Sequence, residues 1–184
     1  MSGPVDALAA FSRAARGRRW YLFGARAVAL LGRDRATRDV DVTVSVEEAE
    51  LPGFLRALEA EGFRSRAGDL LSLARATFVL PVTHTPTGTP VDVVLARTGL
   101  EARFFGRTVS RRIGSLDVAV LSPEDLVVTK LLAARPLDLE DARSVVVAQG
   151  DRLDRAYVRA TLAEIEAELD ASGLVAAFEG FARR

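Results

Sequence analysis

The chain has 184 residues and a mass of 19.8 kDa, room for one domain with a small appended bundle. Apolar residues make up 49% and charged residues 27%, which excludes a disordered chain. With 25 basic and 25 acidic side chains, no net field draws it to nucleic acid or membrane. Absence of cysteine excludes thiol catalysis, disulfides and Cys-based metal centres, and a lone histidine, His84, argues against histidine clusters and Ser-His-Asp triads. No stretch approaches the roughly 18 apolar residues of a membrane helix, and no signal peptide is expected, so a cytoplasmic protein is the default.

In chain order, residues 4–16 form an amphipathic pattern with Leu8, Phe11 and Ala15 at helical spacing. Trp20–Phe23 is a short apolar strand closed by Gly24, and Ala25–Leu31 a helix ending at Gly32. A polar loop, Arg33–Arg38, leads to Asp39–Val44, whose strict alternation marks a half-buried strand. Pro52 opens a helix that runs to Glu61. Strands are predicted at 76–83 and 90–95 around the turn Thr85–Thr89, and a second hairpin at 107–120 around Gly114-Ser115. Ser122-Pro-Glu-Asp125 reads as a helix start with Ser at the cap, and that helix stops before Pro136. Further helices are predicted at 138–148, 154–171 and 174–182. Strands mixed with helices early and helices alone late make an α+β chain.

Asp39 and Asp41 stand two apart on one strand, so both carboxylates leave the same face while Val40, Val42 and Val44 pack the other. Like charges side by side resist ionising together, and a hard divalent cation such as Mg²⁺ removes that cost. The alternative is an exposed face whose acids pair with Arg38 or Arg35. A third acid, Asp92, interrupts the apolar run Pro90–Leu95. If that strand lies beside the first, three carboxylates converge, a set suited to two metal ions about 3.5–4 Å apart. Otherwise Asp92 is a strand-start residue satisfied near the turn. Gly24 and Ala25, at a strand-to-helix junction, offer backbone N–H groups to a phosphate, or simply make a turn.

Lys130 is the only lysine, set on the shoulder of a nearly all-apolar helix where a cation is costly unless it meets an anion. It can reach solvent, or pair with Asp125 or Asp141. Asp138 is placed to cap the next helix, and Arg135 to close the preceding one. Residues 1–38 hold eight arginines against two aspartates, and 138–170 leans acidic. The arginines can hold RNA phosphates or serve as solvated surface.

The ordered set Gly24-Ala25, a short helix, Arg38-Asp-Val-Asp-Val42 and Val91-Asp-Val93 resembles the polymerase-beta-type nucleotidyltransferase superfamily. Its signature is Gly-Gly or Gly-Ser, a helix, Asp-x-Asp and a third Asp on a nearby strand. Ser122-Pro-Glu-Asp-Leu126 followed by Lys130, Arg135, Asp138 and Asp141 is similar to the AbiEii-like, type IV toxin branch. The resemblance covers residues 20–145. It implies a nucleotidyltransferase-like mixed β-sheet flanked by helices over 1–121, with a helical C-terminal region, 122–184, packed on it as a single compact unit. It implies transfer of a nucleoside monophosphate from an NTP to an acceptor hydroxyl, Mg²⁺-dependent and with two ions held by Asp39, Asp41 and Asp92. Asp92 would help deprotonate the acceptor and Lys130 would join the catalytic set. Gly24, Ala25, Arg38, Lys130, Arg135 and Asp141 would bind nucleotide, with Asp138 or Asp141 orienting Lys130 or the metal. Ala25 replaces the usual Ser or Gly, leaving only backbone donors there. The implied acceptors are tRNA, protein or a small molecule such as an aminoglycoside; a cognate antitoxin is a further expected partner, and a membrane is not.

Asp39-Val-Asp-Val-Thr43 also matches the Asp-x-Asp-x-Thr of haloacid-dehalogenase-type phosphatases, but their nucleophile closes a buried strand. Here a polar loop precedes the acids and the apolar strand follows, which rejects that chemistry. A catalytically inactive binding module of the same fold would be expected to lose Asp39, Asp41 or Asp92, and all three are present.

Overall fold

The computed structural model describes residues 3–34 and 36–181. Arg35, a possible partner of the acids, lies outside the described residues. The fold is α+β. A seven-stranded mixed sheet is built from β1 (Trp20–Phe23), β2 (Val40–Val44), β3 (Phe63–Ser65), β4 (Val79–His84), β5 (Thr89–Leu95), β6 (Val109–Ile113) and β7 (Leu116–Val120). The helices are α1 (Gly3–Ala14), α2 (Gly24–Leu31), α3 (Leu51–Ala60), α4 (Leu70–Thr77), α5 (Leu100–Phe104), α6 (Pro123–Ala133), α7 (Pro136–Gln149), α8 (Arg155–Leu169) and α9 (Leu174–Gly180).

The strand order is β3-β4-β5-β2-β1-β7-β6. β2 runs parallel to β5, and β1 parallel to β7; the other neighbours are antiparallel. Alternation decides which face is which. Val40, Val42 and Val44 of β2 and Val91, Val93 and Leu95 of β5 are buried, while Asp41 and Asp92 lie half-buried on the opposite face. On the apolar side Phe11 of α1 makes edge-on ring contacts with Trp20, Phe54 and Phe63 at 5.2, 6.4 and 6.4 Å.

Contacts group the chain into two compact units, one of Met1–Arg26 with Ala36–Leu121, the other of Ala27–Arg35 with Ser122–Arg184. The first holds the whole sheet. The second is helical, and its core includes Leu126, Leu131, Val145, Val158, Leu162 and Phe178, all essentially inaccessible. α6 starts as its sequence dictates: the Ser122 hydroxyl oxygen accepts from the Asp125 amide at 3.1 Å and its O–H donates to Asp125 Oδ2 at 2.7 Å. Asp125 Oδ1 accepts from the Tyr157 hydroxyl at 2.7 Å.

Two expectations are corrected. The strand predicted from residue 76 begins at Val79, because 76 and 77 close α4, which ends on Phe78 in a left-handed conformation (φ 59°). The helix predicted from 138 begins at Pro136 after an extended Arg135, so Asp138 lies inside the first turn and does not cap it. The segments β3, α4 and α5 are additional to the elements expected.

Ser122→Ala removes a cap that is 2% exposed and a partner of buried Asp125. It is expected to lower the unfolding free energy by about 1–2 kcal/mol. Urea denaturation measures this, and an unchanged midpoint would show that the cap contributes nothing.

Candidate active site

The parallel register of β2 and β5 places Asp41 directly opposite Asp92. Neighbouring strands are about 4.8 Å apart, so two carboxylates on one face become immediate neighbours. On the other side of β2, the antiparallel register sets Phe23 opposite Asp41, and α2 begins at the next residue. Gly24 there has φ +67°, and a Cβ built on it would lie 2.0 Å from Asp41 Oδ2. The carboxylate therefore rests against the backbone where the helix starts, and only glycine leaves it that space. Ala25 occupies the next position of α2.

Asp39 is exposed, just before β2. Its position is set by Arg26, whose Nη2 donates to the Thr37 carbonyl at 2.8 Å and whose Nε donates to the Asp39 carbonyl at 3.1 Å. Burial lowers the Arg26 pKa, with the charges of Asp39 and Asp41 acting against that shift. Arg38 is exposed in the same loop. Asp92 lies in the middle of β5, where Arg66 Nη2 donates to its Oδ1. The structure thus brings Asp41 and Asp92 together. Among the described residues, no group of three or more His, Asp or Glu side chains is gathered tightly enough to hold a metal ion, so Asp39 does not complete a ready-made cage.

The donor set nonetheless fits a hard divalent cation. Two carboxylates occupy one register position on the same face of the sheet, and one of them has already drawn in a cation, the Arg66 guanidinium. Arg26 and Arg66 are the cations beside the acids that the sequence alone does not reveal. Arg66 lies between β3 and α4, two elements absent from the expected fold.

In the second unit, Lys130 Nζ donates to Asp138 Oδ1 at 2.7 Å and to Asp141 Oδ2 at 2.9 Å. The three side chains are 10%, 4% and 0% exposed. Arg33 Nη2 lies 3.2 Å from Asp141 Oδ1, and Arg135 Nε donates to Asp138 Oδ2. Burial works to raise the Asp138 pKa, but hydrogen bonds from Arg135 and Lys130 outweigh it and hold the group below the ordinary carboxylate value. Asp125, the other partner considered for Lys130, is engaged by Ser122 and Tyr157. Arg135 stands at the N-cap position of α7 instead of closing α6. His84 is buried at the end of β4, its Nδ1 2.8 Å from Thr87 Oγ1 in the turn that follows.

A mixed sheet that sets an acid from an Asp-x-Asp strand beside an acid of the next parallel strand, with a glycine at the preceding strand-to-helix junction, has the nucleotidyltransferase architecture. The chain is similar in structure to the antibiotic-resistance factor ANT(2'')-Ia, with a TM-score of 0.62 at 18% identity over 91% of this chain and 95% of that one. It is also similar to an antigenic nucleotidyltransferase-like protein from Paracoccidioides brasiliensis, with a TM-score of 0.51 at 15% identity over 96% and 91% of the two chains. At such identities these likenesses speak for the fold. No protein of curated function matches the chain by sequence. The family model for nucleotidyltransferases of unknown function (DUF6036) matches residues 7–184, and the chain belongs to that family. Among the described residues, no helix is long and apolar enough to cross a membrane.

Gly24→Ala forces a side chain into a left-handed backbone and onto Asp41. A stability loss of about 2 kcal/mol is expected, measured by chemical denaturation; parent-like stability would mean that the junction relaxes freely. Lys130→Met leaves two buried carboxylates facing each other and is expected to cost about 3–5 kcal/mol. A loss below about 1 kcal/mol would show that water solvates the cluster.

Proposed function

We propose that the chain transfers a nucleoside monophosphate from an NTP to an acceptor hydroxyl with Mg²⁺, at the acid face of its sheet. The observation that carries this reading is the register of Asp41 against Asp92. Mg²⁺, with two ions expected, would neutralise the donor phosphates and lower the cost of ionising the acceptor hydroxyl. Asp41 and Asp92 are the proposed metal ligands, and Asp39 is the third, brought in when a cation rewards its approach. Asp92 also takes the proton of the acceptor hydroxyl. Gly24 and Ala25 present the N-terminal N–H groups of α2 to phosphate oxygens, with no hydroxyl to assist them. Arg38 adds an exposed positive charge in the loop that leads to the acids. From the sequence alone, Lys130, Arg135 and Asp141 are proposed as the nucleotide-binding residues of the second unit.

For the acceptor, the toxin-like reading (tRNA or protein, with a cognate antitoxin) rests on the resemblance of 122–141 to the AbiEii-like branch. A small-molecule acceptor is favoured by one observation, the end-to-end likeness to an antibiotic-resistance factor. A second supports it: much of the arginine excess of residues 1–38 is used internally. Arg13 pairs with Glu61 at 2.8 Å, Arg18 lies 3.7 Å from Glu50, Arg19 stacks on Phe105, and Arg26 holds a loop. Cytoplasmic localisation accords with NTP as donor.

Incubation with labelled NTPs, Mg²⁺ and either cell extract or a panel of aminoglycosides tests the reaction and identifies the acceptor. Asp41→Asn is expected to abolish label transfer while leaving the chain folded, as read by a cooperative unfolding transition. Full transfer by that variant would overturn the assignment.

A further inference from the structure

We propose that Arg66 is a built-in counter-cation that competes with the metal for Asp92, so that loading of the site proceeds by displacement of its guanidinium. The inference rests on the reading of Asp41 and Asp92 as metal ligands and goes beyond it, since it assigns control of metal affinity to a residue outside the acid set.

The placement of Arg66 is built in three steps. Its backbone N–H donates to the Pro81 carbonyl at 2.9 Å, which extends the β3–β4 ladder past Ser65. Its Nε donates to the Val82 carbonyl at 3.1 Å, which lays the side chain along β4. Nη2 then reaches Oδ1 of Asp92 on β5, one strand further in. The β4 residue in register with Asp92 is Pro81, whose compact ring projects less than a long side chain would, so the guanidinium can cross. Two of the three anchors are backbone contacts, so the arm stays in position when Asp92 is taken away.

Electrostatics makes the contact exchangeable. The Arg66 and Asp92 side chains are 37% and 43% exposed, so the pair is worth little in water. A divalent ion brings twice the charge and would bridge both register-matched acids. Without metal, Arg66 offsets the repulsion between the two register-matched acids; with metal, the same charge opposes the incoming ion. Arg66 is thus a positioning residue that sets the threshold for metal binding.

The test is calorimetric titration of the full, nucleotide-free chain with Mn²⁺ and with Mg²⁺, alongside thermal unfolding at each metal concentration. Arg66→Met is expected to bind the metal about five- to tenfold more tightly than the parent and to show a larger metal-induced rise in Tm, from a lower metal-free Tm. Arg66→Lys keeps a charge but loses the planar anchor to Val82, and is expected to fall between the two. Parent-like or weaker affinity in Arg66→Met, with binding lost in Asp41→Asn, would overturn the competition while leaving the metal site standing. Absence of binding in both the parent and Arg66→Met would overturn the metal reading itself, and the inference with it.

Discussion

The acid face of this sheet depends on forcing two carboxylates into adjacent places. The force comes from the other face. Val40, Val42 and Val44 and their register partners Val91, Val93 and Leu95 are buried, and a slip of one residue would exchange those valines for the acids. Burying that apolar surface at about 25 cal/mol per Å² easily exceeds the repulsion of two half-solvated carboxylates. The hydrophobic pattern therefore dictates an electrostatic arrangement that the acids alone would avoid. What remains is a standing demand for positive charge, met in this structure by Arg66 and moderated by Arg26.

The second unit meets the same problem differently. Asp138 and Asp141 also stand close, but their counter-cation Lys130 is nearly inaccessible and is hydrogen-bonded to both. There the desolvation of each ion is large, so removing any partner leaves a stranded charge. Around Asp92 desolvation is small, so partners can be exchanged. Burial, rather than residue type, separates the locked cluster from the exchangeable one. Only the Lys130 cluster was visible in the sequence as acids near their own cation, and accessibility distinguishes the two only after folding.

The acid pairing was legible because period-two alternation in Asp39–Val44 and Pro90–Leu95 states which side of each strand is apolar. The cap at Ser122, the stop before Pro136 and the hairpin at Gly114-Ser115 were legible through turn and cap chemistry. β3, α4 and α5 were not. β3 is three residues long, and α5 only five. α4 is eight residues long and buries only Ala74, although its leucines recur at helical spacing and Asp69 caps it at 3.0 Å from the Leu71 amide. Its end, a phenylalanine in a left-handed conformation, contradicts local preference and is held by context, with the Arg97 guanidinium 4.5 Å over the ring. Missing those elements meant missing Arg66, because its role is defined by the strand it extends.

Arginine use shows why a charge count along the chain is a poor guide to a surface field. Eight arginines against two aspartates in residues 1–38 look like a basic face. Folded, Arg26 ties two loop carbonyls, Arg33 pairs with Glu140 and Asp141, and Arg18 and Arg19 lie over Phe54 and Phe105. A planar guanidinium with five donors can bind carbonyls, carboxylates and ring faces in ways an ammonium cannot. A chain with one lysine and 24 arginines thus has its positive charge in the form best suited to internal clamps. The field such residues project is only what survives those pairings, which a count along the chain cannot give.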